Sequence, residues 1–216
     1  MYKDRIQAGQ VLAERLVRFE GRELVVLAIP RGGIQVAYPI AARFRAELDL
    51  VIPRKLPIPG NPEAGFGAIM EDGTRVLNED MIQYLGLTDW EIDSIANRVL
   101  DEVRRRMEKY RGDKSFPELK NKIALIVDDG LATGYTALAA INYVKKKEPE
   151  RVVVAVPVSS ESAENLIKSK VDDYVCPLTS DRPWFAVASF YEKFYDLTDE
   201  EVLDCLNKYQ IEKEQW

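Results

Sequence analysis

The chain has 216 residues, 46% of them apolar, and a formal net charge of -6. That length and apolar content suit one large α/β domain with its own core, and the acidic balance argues against a protein that grips a nucleic-acid backbone, which needs a basic face. Histidine is absent, which excludes Ser-His-Asp and Cys-His nucleophilic sites and every His-ligated metal.

Residues 4–18 carry apolar positions at Ile6, Val11, Leu12, Leu16 and Val17, a helical stripe. Leu24–Ile29 is a continuous apolar run, the mark of a strand buried in a parallel sheet. It stops at Pro30-Arg31-Gly32-Gly33, and a helix with Val36, Ile40, Ala41 and Phe44 on one face follows. Leu48–Ile52 reads as the next strand. From Pro53 to Gly73, prolines 53, 57, 59 and 62 alternate with glycines 60, 65 and 67, which predicts a loop or an irregular hairpin. Thr88-Asp89-Trp90-Glu91 is a capping box, and Ile92, Ile95, Val99, Val103 and Met107 carry the helix on to Gly112. Its Arg104-Arg105-Arg106 run reads as a solvated face.

The strand–helix rhythm then resumes, with strands at Ile123–Val127, Val152–Val156 and Tyr174–Cys176 and helices at Gly134–Lys147 and Ser160–Ser169. Thr198-Asp199-Glu200-Glu201 caps a last helix bearing Val202, Leu203 and Leu206. Such alternation predicts a mostly parallel central sheet with helices on both faces. Residues 54–115 break the rhythm and are expected to form an insertion, or hood, within a single domain spanning 1–216. Cys176 and Cys205 form neither a disulfide framework nor a zinc pattern. The N-terminus is polar and no run approaches 18 apolar residues, so a cytoplasmic protein without a membrane segment is expected.

The strongest chemical signal is Ile126-Val127-Asp128-Asp129-Gly130-Leu131-Ala132-Thr133-Gly134-Tyr135-Thr136. An apolar strand runs into two acids, then a loop of small and hydroxyl residues opens a helix. A helix N-terminus offers unpaired N–H groups and a positive dipole end to a phosphate monoester. Thr133 and Thr136 add hydroxyls, and Gly134 allows close backbone approach. Asp128 and Asp129, at a strand's carboxyl end, are positioned for a sugar diol. Arg31 with Gly32 and Gly33 combines a cation with exposed amides at another helix start, suited to an anion. Arg54-Lys55 follows the next strand at the same sheet edge. No Walker-type Gly-x-x-x-x-Gly-Lys-Ser/Thr or Gly-x-Gly-x-x-Gly motif occurs.

With these residues the chain resembles the type I phosphoribosyltransferases, and from about residue 5 to 205 a bacterial and archaeal group of them with no assigned acceptor. The resemblance implies that Asp128 and Asp129 hold the ribose hydroxyls of phosphoribosyl pyrophosphate (PRPP) and that residues 132–136 bind its 5′-phosphate. It places the pyrophosphate at Arg31, Gly32 and Gly33, in a loop that often contains a non-proline cis peptide, with Arg54 and Lys55 as further cations. Mg²⁺ is expected to arrive on PRPP near Asp128 and Asp129, without a dedicated protein site. A lid over Leu56–Gly67 is implied as well. The partners are then PRPP and a small nitrogenous acceptor, with no nucleic acid or membrane, and a homodimer as the candidate assembly. Ala132 stands where family members using 6-oxopurines have an aspartate, which speaks against hypoxanthine or guanine. The aromatic segment around Trp184, Phe185, Phe190, Tyr191 and Phe194 is assigned to packing, with stacking on an acceptor as the alternative. Glu63, Glu71 and Asp72 lie in or beside the hood, and spacing singles out none of them as a general base. A PRPP- or nucleotide-binding regulator without turnover is the competing function.

Overall fold

The computed structural model describes residues 1–182 and 184–216, with the side chain of Glu63 left aside. Helix α1 (Arg5–Arg15), N-capped by Asp4, leads into strand β1 (Leu24–Ala28), helix α2 (Gly33–Phe44) and strand β2 (Glu47–Leu50). Strands β3 (Arg54–Ile58), β4 (Asn61–Ile69) and β5 (Arg75–Leu77) come next, then helices α3 (Glu79–Leu85) and α4 (Asp89–Arg111). The chain returns through β6 (Ile123–Val127), α5 (Tyr135–Lys145), β7 (Arg151–Ala155), β8 (Val158–Ser160) and α6 (Glu161–Lys168). It closes with β9 (Asp173–Val175), β10 (Leu178–Ser180) and α7 (Asp199–Lys213).

The central sheet has the order β2-β1-β6-β7-β9, and every pair in it is parallel. Successive side chains of a strand point to opposite faces, and here both faces are covered. Leu24, Val26 and Ala28 join residues of α1, α2 and α7 in one core cluster, whereas Val25 and Leu27 join residues of α5 and α6 in the other. β6 repeats the division, with Leu125 and Val127 on the first side and Ala124 and Ile126 on the second. Double burial is why these strands read as unbroken apolar runs.

The order also fixes where a ligand belongs. From β1 the chain steps outward to β2, and β6 later pairs with the other side of β1. The loops after β1 and β6 therefore diverge from one topological switch point, where open parallel sheets bind their ligands.

Residues 54–111 carry a second sheet and two helices, β3 to α4. β3, β4 and β5 make an antiparallel sheet, and Leu56, Phe66 and Ile69 pack against Ile92, Ile95, Val99 and Val103 of α4. The Pro/Gly-rich stretch is the irregular hairpin, with register shifts on both sides of Pro57 and a turn at Gly60, whose φ of 79° suits glycine. Arg111 ties the end of α4 to β2, donating to Asp49 Oδ1 at 2.9 Å and to the Leu50 carbonyl at 2.8 Å.

Three features depart from the sequence reading. The seven residues of α3 give too few turns for a periodic sequence signal. The short parallel pair β8–β10 was also missed. On α1 the buried face is Arg5, Ala8, Gly9, Leu12 and Ala13, while Ile6 and Val17 are exposed. Small residues line that face because α2 comes so near that a Cβ on Gly9 would lie 2.2 Å from the Val36 carbonyl oxygen. Among the described residues no helix is long and apolar enough to cross a membrane.

Candidate functional site

The loop after β6 is fastened before it reaches α5. Leu131 donates its N–H to the Val158 carbonyl and accepts from Ser160 N, both at 2.9 Å, and the Ser160 hydroxyl donates to the Ala132 carbonyl at 2.6 Å. The small strand β8 thus clamps the loop from outside, leaving Ala132 and Thr133 exposed. Gly134 caps α5 with a φ of 80° and supplies no side-chain cap, so the first-turn amides of α5 stay available to an anion. A cavity of about 360 Å³ opens over this loop, lined by Gly130–Thr136 on one side and by Lys55, Ala64, Gly65, Gly67, Met81 and Val187 on the other.

The two acids sit one step back, facing a larger cavity of about 850 Å³. Asp129 N–H donates to Asp128 Oδ1 at 2.8 Å, while Asp129 Oδ2 accepts from Arg5 Nε at 2.8 Å. Burial, reinforced by the neighbouring Asp129 charge, raises the Asp128 carboxyl well above the usual carboxylate range. Burial raises Asp129 as well, and the Arg5 guanidinium opposes that rise. A pair of this kind favours any partner that brings positive charge or hydroxyl donors to it.

The loop after β1 approaches the acids from the neighbouring strand. Its Pro30–Arg31 peptide is cis, and Gly32 leads into α2 without a side-chain cap. Neither glycine has room for a side chain. A Cβ on Gly32 would lie 1.9 Å from Asp129 Oδ2, and one on Gly33 would lie 2.7 Å from the Val127 carbonyl oxygen. Arg31 and Gly32 line the same cavity as Asp128 and Asp129, as do Arg54, Lys55 and Thr136. Arg54 and Lys55 open strand β3 of the hood, and Arg54 pairs with Glu102 at 3.2 Å. Lys55 and Thr136 touch both cavities, which makes the two spaces neighbours along one cleft.

Arg31, Gly32, Arg54, Lys55, Asp128, Asp129 and residues 132–136 thus line the two cavities, with Gly33 buried beside Val127 and Asp128, and the structure adds others. Arg98 and Arg106 of α4 line the larger cavity from the hood side, with Glu102 between them. Spacings of four residues place the three along one side of the helix. The reading of Arg104–Arg106 as a wholly solvated face needs correction at its last member, because Arg106 faces the cavity whereas Arg104 and Arg105 are exposed. Arg5 also escaped notice, although a charge at i−3 and i−4 to buried Ala8 and Gly9 was a usable signal. The aromatic segment mainly packs: the Tyr191 hydroxyl donates to the Asp129 carbonyl at 2.7 Å, Phe185 lies against Phe190, and Val187 reaches the smaller cavity. Trp184 is 93% exposed. Of the acids beside the hood, Glu71 accepts from the Tyr143 hydroxyl and Asp72 pairs with Lys146 at 3.1 Å, while the Glu63 side chain lies outside the described residues.

The fold is an α/β domain built on a parallel sheet, with two uncapped helix starts and a carboxylate pair at its switch point. Residues 2–191 match the phosphoribosyl transferase domain family, and the chain belongs to that family. Two Mycobacterium tuberculosis proteins, Rv0571c and MT0597, provisionally named phosphoribosyl transferases, are each 39% identical over 208 residues. That stretch is 96% of this chain, which spans 47% of the length of these relatives. The crystal structure of TT1426 from Thermus thermophilus superposes with a TM-score of 0.79 at 38% identity, covering 97% of this chain and 99% of that one. A purine phosphoribosyltransferase from Pyrococcus horikoshii shares the fold, with a TM-score of 0.50 at 17% identity over 92% of this chain and 97% of that one.

Proposed function

We propose that this chain transfers the 5-phosphoribosyl group of PRPP to a small nitrogenous acceptor and releases pyrophosphate. The observation that carries this reading is the convergence of Asp128, Asp129, the uncapped start of α5 and the Arg31–Gly33 loop on one cleft. Residues 1–216 act in it as one domain, with the hood of about residues 54–115 as its roof.

In this reading residues 132–136 bind the 5′-phosphate through the amides of α5 and the Thr133 and Thr136 hydroxyls. Asp128 and Asp129 accept hydrogen bonds from the ribose hydroxyls. Arg31, Gly32 and Gly33 receive the pyrophosphate, with Arg54 and Lys55 as further cations and Arg98 and Arg106 closing the far wall. Carboxylates are hard oxygen donors, so Asp128 and Asp129 suit Mg²⁺ carried in by PRPP, itself rich in oxygen ligands. Held there, the ion would supply charge neutralisation for the leaving group. An acceptor nitrogen then forms a bond to C1 of the ribose while the bond from C1 to the pyrophosphate oxygen breaks, its electron pair leaving with pyrophosphate. The chain's own contribution is positioning and a fixed electrostatic surround, without a covalent intermediate.

Ala64, Met81, Leu131 and Val187 offer the acceptor an apolar wall in the smaller cavity. Ala132 supplies no carboxylate for a 6-oxopurine, which favours another heterocycle or amine. The hairpin 56–67 reaches both cavities through Ala64, Gly65 and Pro62 and acts as the lid, excluding water that would hydrolyse PRPP. A cytoplasmic location and a homodimer complete the proposal.

The test is pyrophosphate release from Mg²⁺ and PRPP against purines, pyrimidines and small amines. Release dependent on one acceptor is the expected result. Tight PRPP binding without release, even in the presence of the whole panel, favours the regulator; neither binding nor release overturns both.

A further inference from the structure

Arg5 is 4% exposed on a helix face otherwise made of small and aliphatic residues. A buried cation is costly unless its donors are used, and these donors converge on the site. Nε donates to Asp129 Oδ2 at 2.8 Å, and a terminal nitrogen donates to the Tyr195 carbonyl at 2.8 Å. The guanidinium carbon lies 3.9 Å from the centre of the Phe194 ring, a cation–π contact that fixes its plane. Phe194 in turn packs against Tyr191, whose hydroxyl holds the Asp129 carbonyl. Main chain and side chain of Asp129 are therefore both held from one direction.

The pair also touches the second loop. A Cβ on Gly32 would lie 1.9 Å from Asp129 Oδ2 and 2.9 Å from Arg5 Nε, so the backbone of the Arg31–Gly33 loop rests directly on the ion pair. Ribose and pyrophosphate ends of the cleft thus meet at Arg5–Asp129.

We propose that Arg5 is a positioning residue for substrate binding, holding the Asp129 carboxylate oriented beneath Gly32 so that Asp129 and the Arg31–Gly33 loop engage PRPP together. The proposal rests on the PRPP reading above. Arg5, whose Nε is on Asp129 and one of whose terminal nitrogens is on the Tyr195 carbonyl, acts through its partner.

A double-mutant cycle tests it, with Mg²⁺–PRPP titrated calorimetrically into wild type, Arg5→Lys, Asp129→Asn and the double variant, and thermal unfolding recorded for each. Lysine keeps the charge but loses the planar fork. Arg5→Lys is expected to weaken PRPP about tenfold, on the scale of one charge-assisted hydrogen bond. The double variant should bind no more weakly than Asp129→Asn alone, because Arg5 acts only through Asp129. Wild-type affinity in folded Arg5→Lys, or full additivity of the two losses, overturns the proposal. If Arg5→Lys does not fold, Phe194→Leu, which removes the ring beneath the guanidinium, takes its place with the same expectation and the same overturning results. A wild-type chain that binds no PRPP removes the substrate reading and this proposal together, an outcome distinct from binding that is indifferent to Arg5.

Discussion

The cleft has a floor and a roof built on different principles. The floor is the edge of the five-stranded parallel sheet, whose strands are buried on both faces and whose loops after β1 and β6 are held by backbone hydrogen bonds and by glycines with no room for a side chain. The roof is a three-stranded antiparallel sheet with two helices, joined to the core chiefly through α5 and through Arg111. It contributes side chains of length and charge: Arg54, Lys55, Arg98 and Arg106. The difference teaches where rigidity and reach are needed. In the proposed reading, backbone amides and short carboxylates set the register of a sugar phosphate, whereas long cations on the roof meet a leaving group from the other side.

The comparison can be broken at the roof without touching the floor. Arg98 and Arg106 show no ion pair among the described residues, so replacing both with Ala should leave thermal stability nearly unchanged. In our reading it weakens PRPP by about 10- to 100-fold, since two charge-assisted contacts are lost, with a shallower salt dependence of binding. Equal affinity in the variant would confine pyrophosphate to the floor. A smaller effect is expected at the hairpin 56–67. Proteolysis there should slow about tenfold when Mg²⁺ and PRPP are added, on the scale of ligand linkage to a closed state. Identical cutting rates with and without ligand would mean that the roof does not close.

The floor should show its cost in the unliganded protein. Asp128 titrates well above an unfolded aspartate because burial and Asp129 resist its charge. Between the unfolded and folded values the native state binds the extra proton, so this group's stabilisation is present at low pH and declines as pH rises through the folded value. Asp128→Asn removes that penalty. It should raise the melting temperature of the free protein at pH 8 by roughly 2–4 °C, corresponding to about 1 kcal/mol for a domain of this size. The gap should narrow toward acid pH. A variant less stable than wild type at pH 8 would show that Asp128 is a structural acid and that the floor carries no such penalty.

The two regions also differed in how legible they were. The floor could be read because its chemistry is local: strand, acids, small residues and helix start follow one another within 11 residues at 126–136, and Pro30–Gly33 follows β1 directly. Parallel strands buried on both faces leave a strong apolar signal at Leu24–Ala28 and Ile123–Val127. The roof was visible as an interruption, and the capping box at Thr88 fixed the start of α4. Its functional face was not visible. Arg98 and Arg106 lie more than 60 residues from Arg31 in sequence and look like solvent-facing charges until the lobe folds over the cleft. Arg5 was hidden differently. The face that buries it is built of Ala8, Gly9 and Ala13, residues too small to outweigh Ile6 and Val17 in a hydrophobic pattern. The clamp of β8 on Leu131 was equally hidden, since three-residue strands carry almost no periodicity.

The most direct test of the central claim, that the cleft above Asp128 and Asp129 is a PRPP site, is calorimetric titration of Mg²⁺–PRPP into the wild-type chain and into Asp128→Asn/Asp129→Asn. The account predicts saturable binding at one site per chain in the wild type and a loss of about 100-fold or more in a variant that remains folded. Undiminished affinity in that variant, or no binding by the wild type, would contradict it.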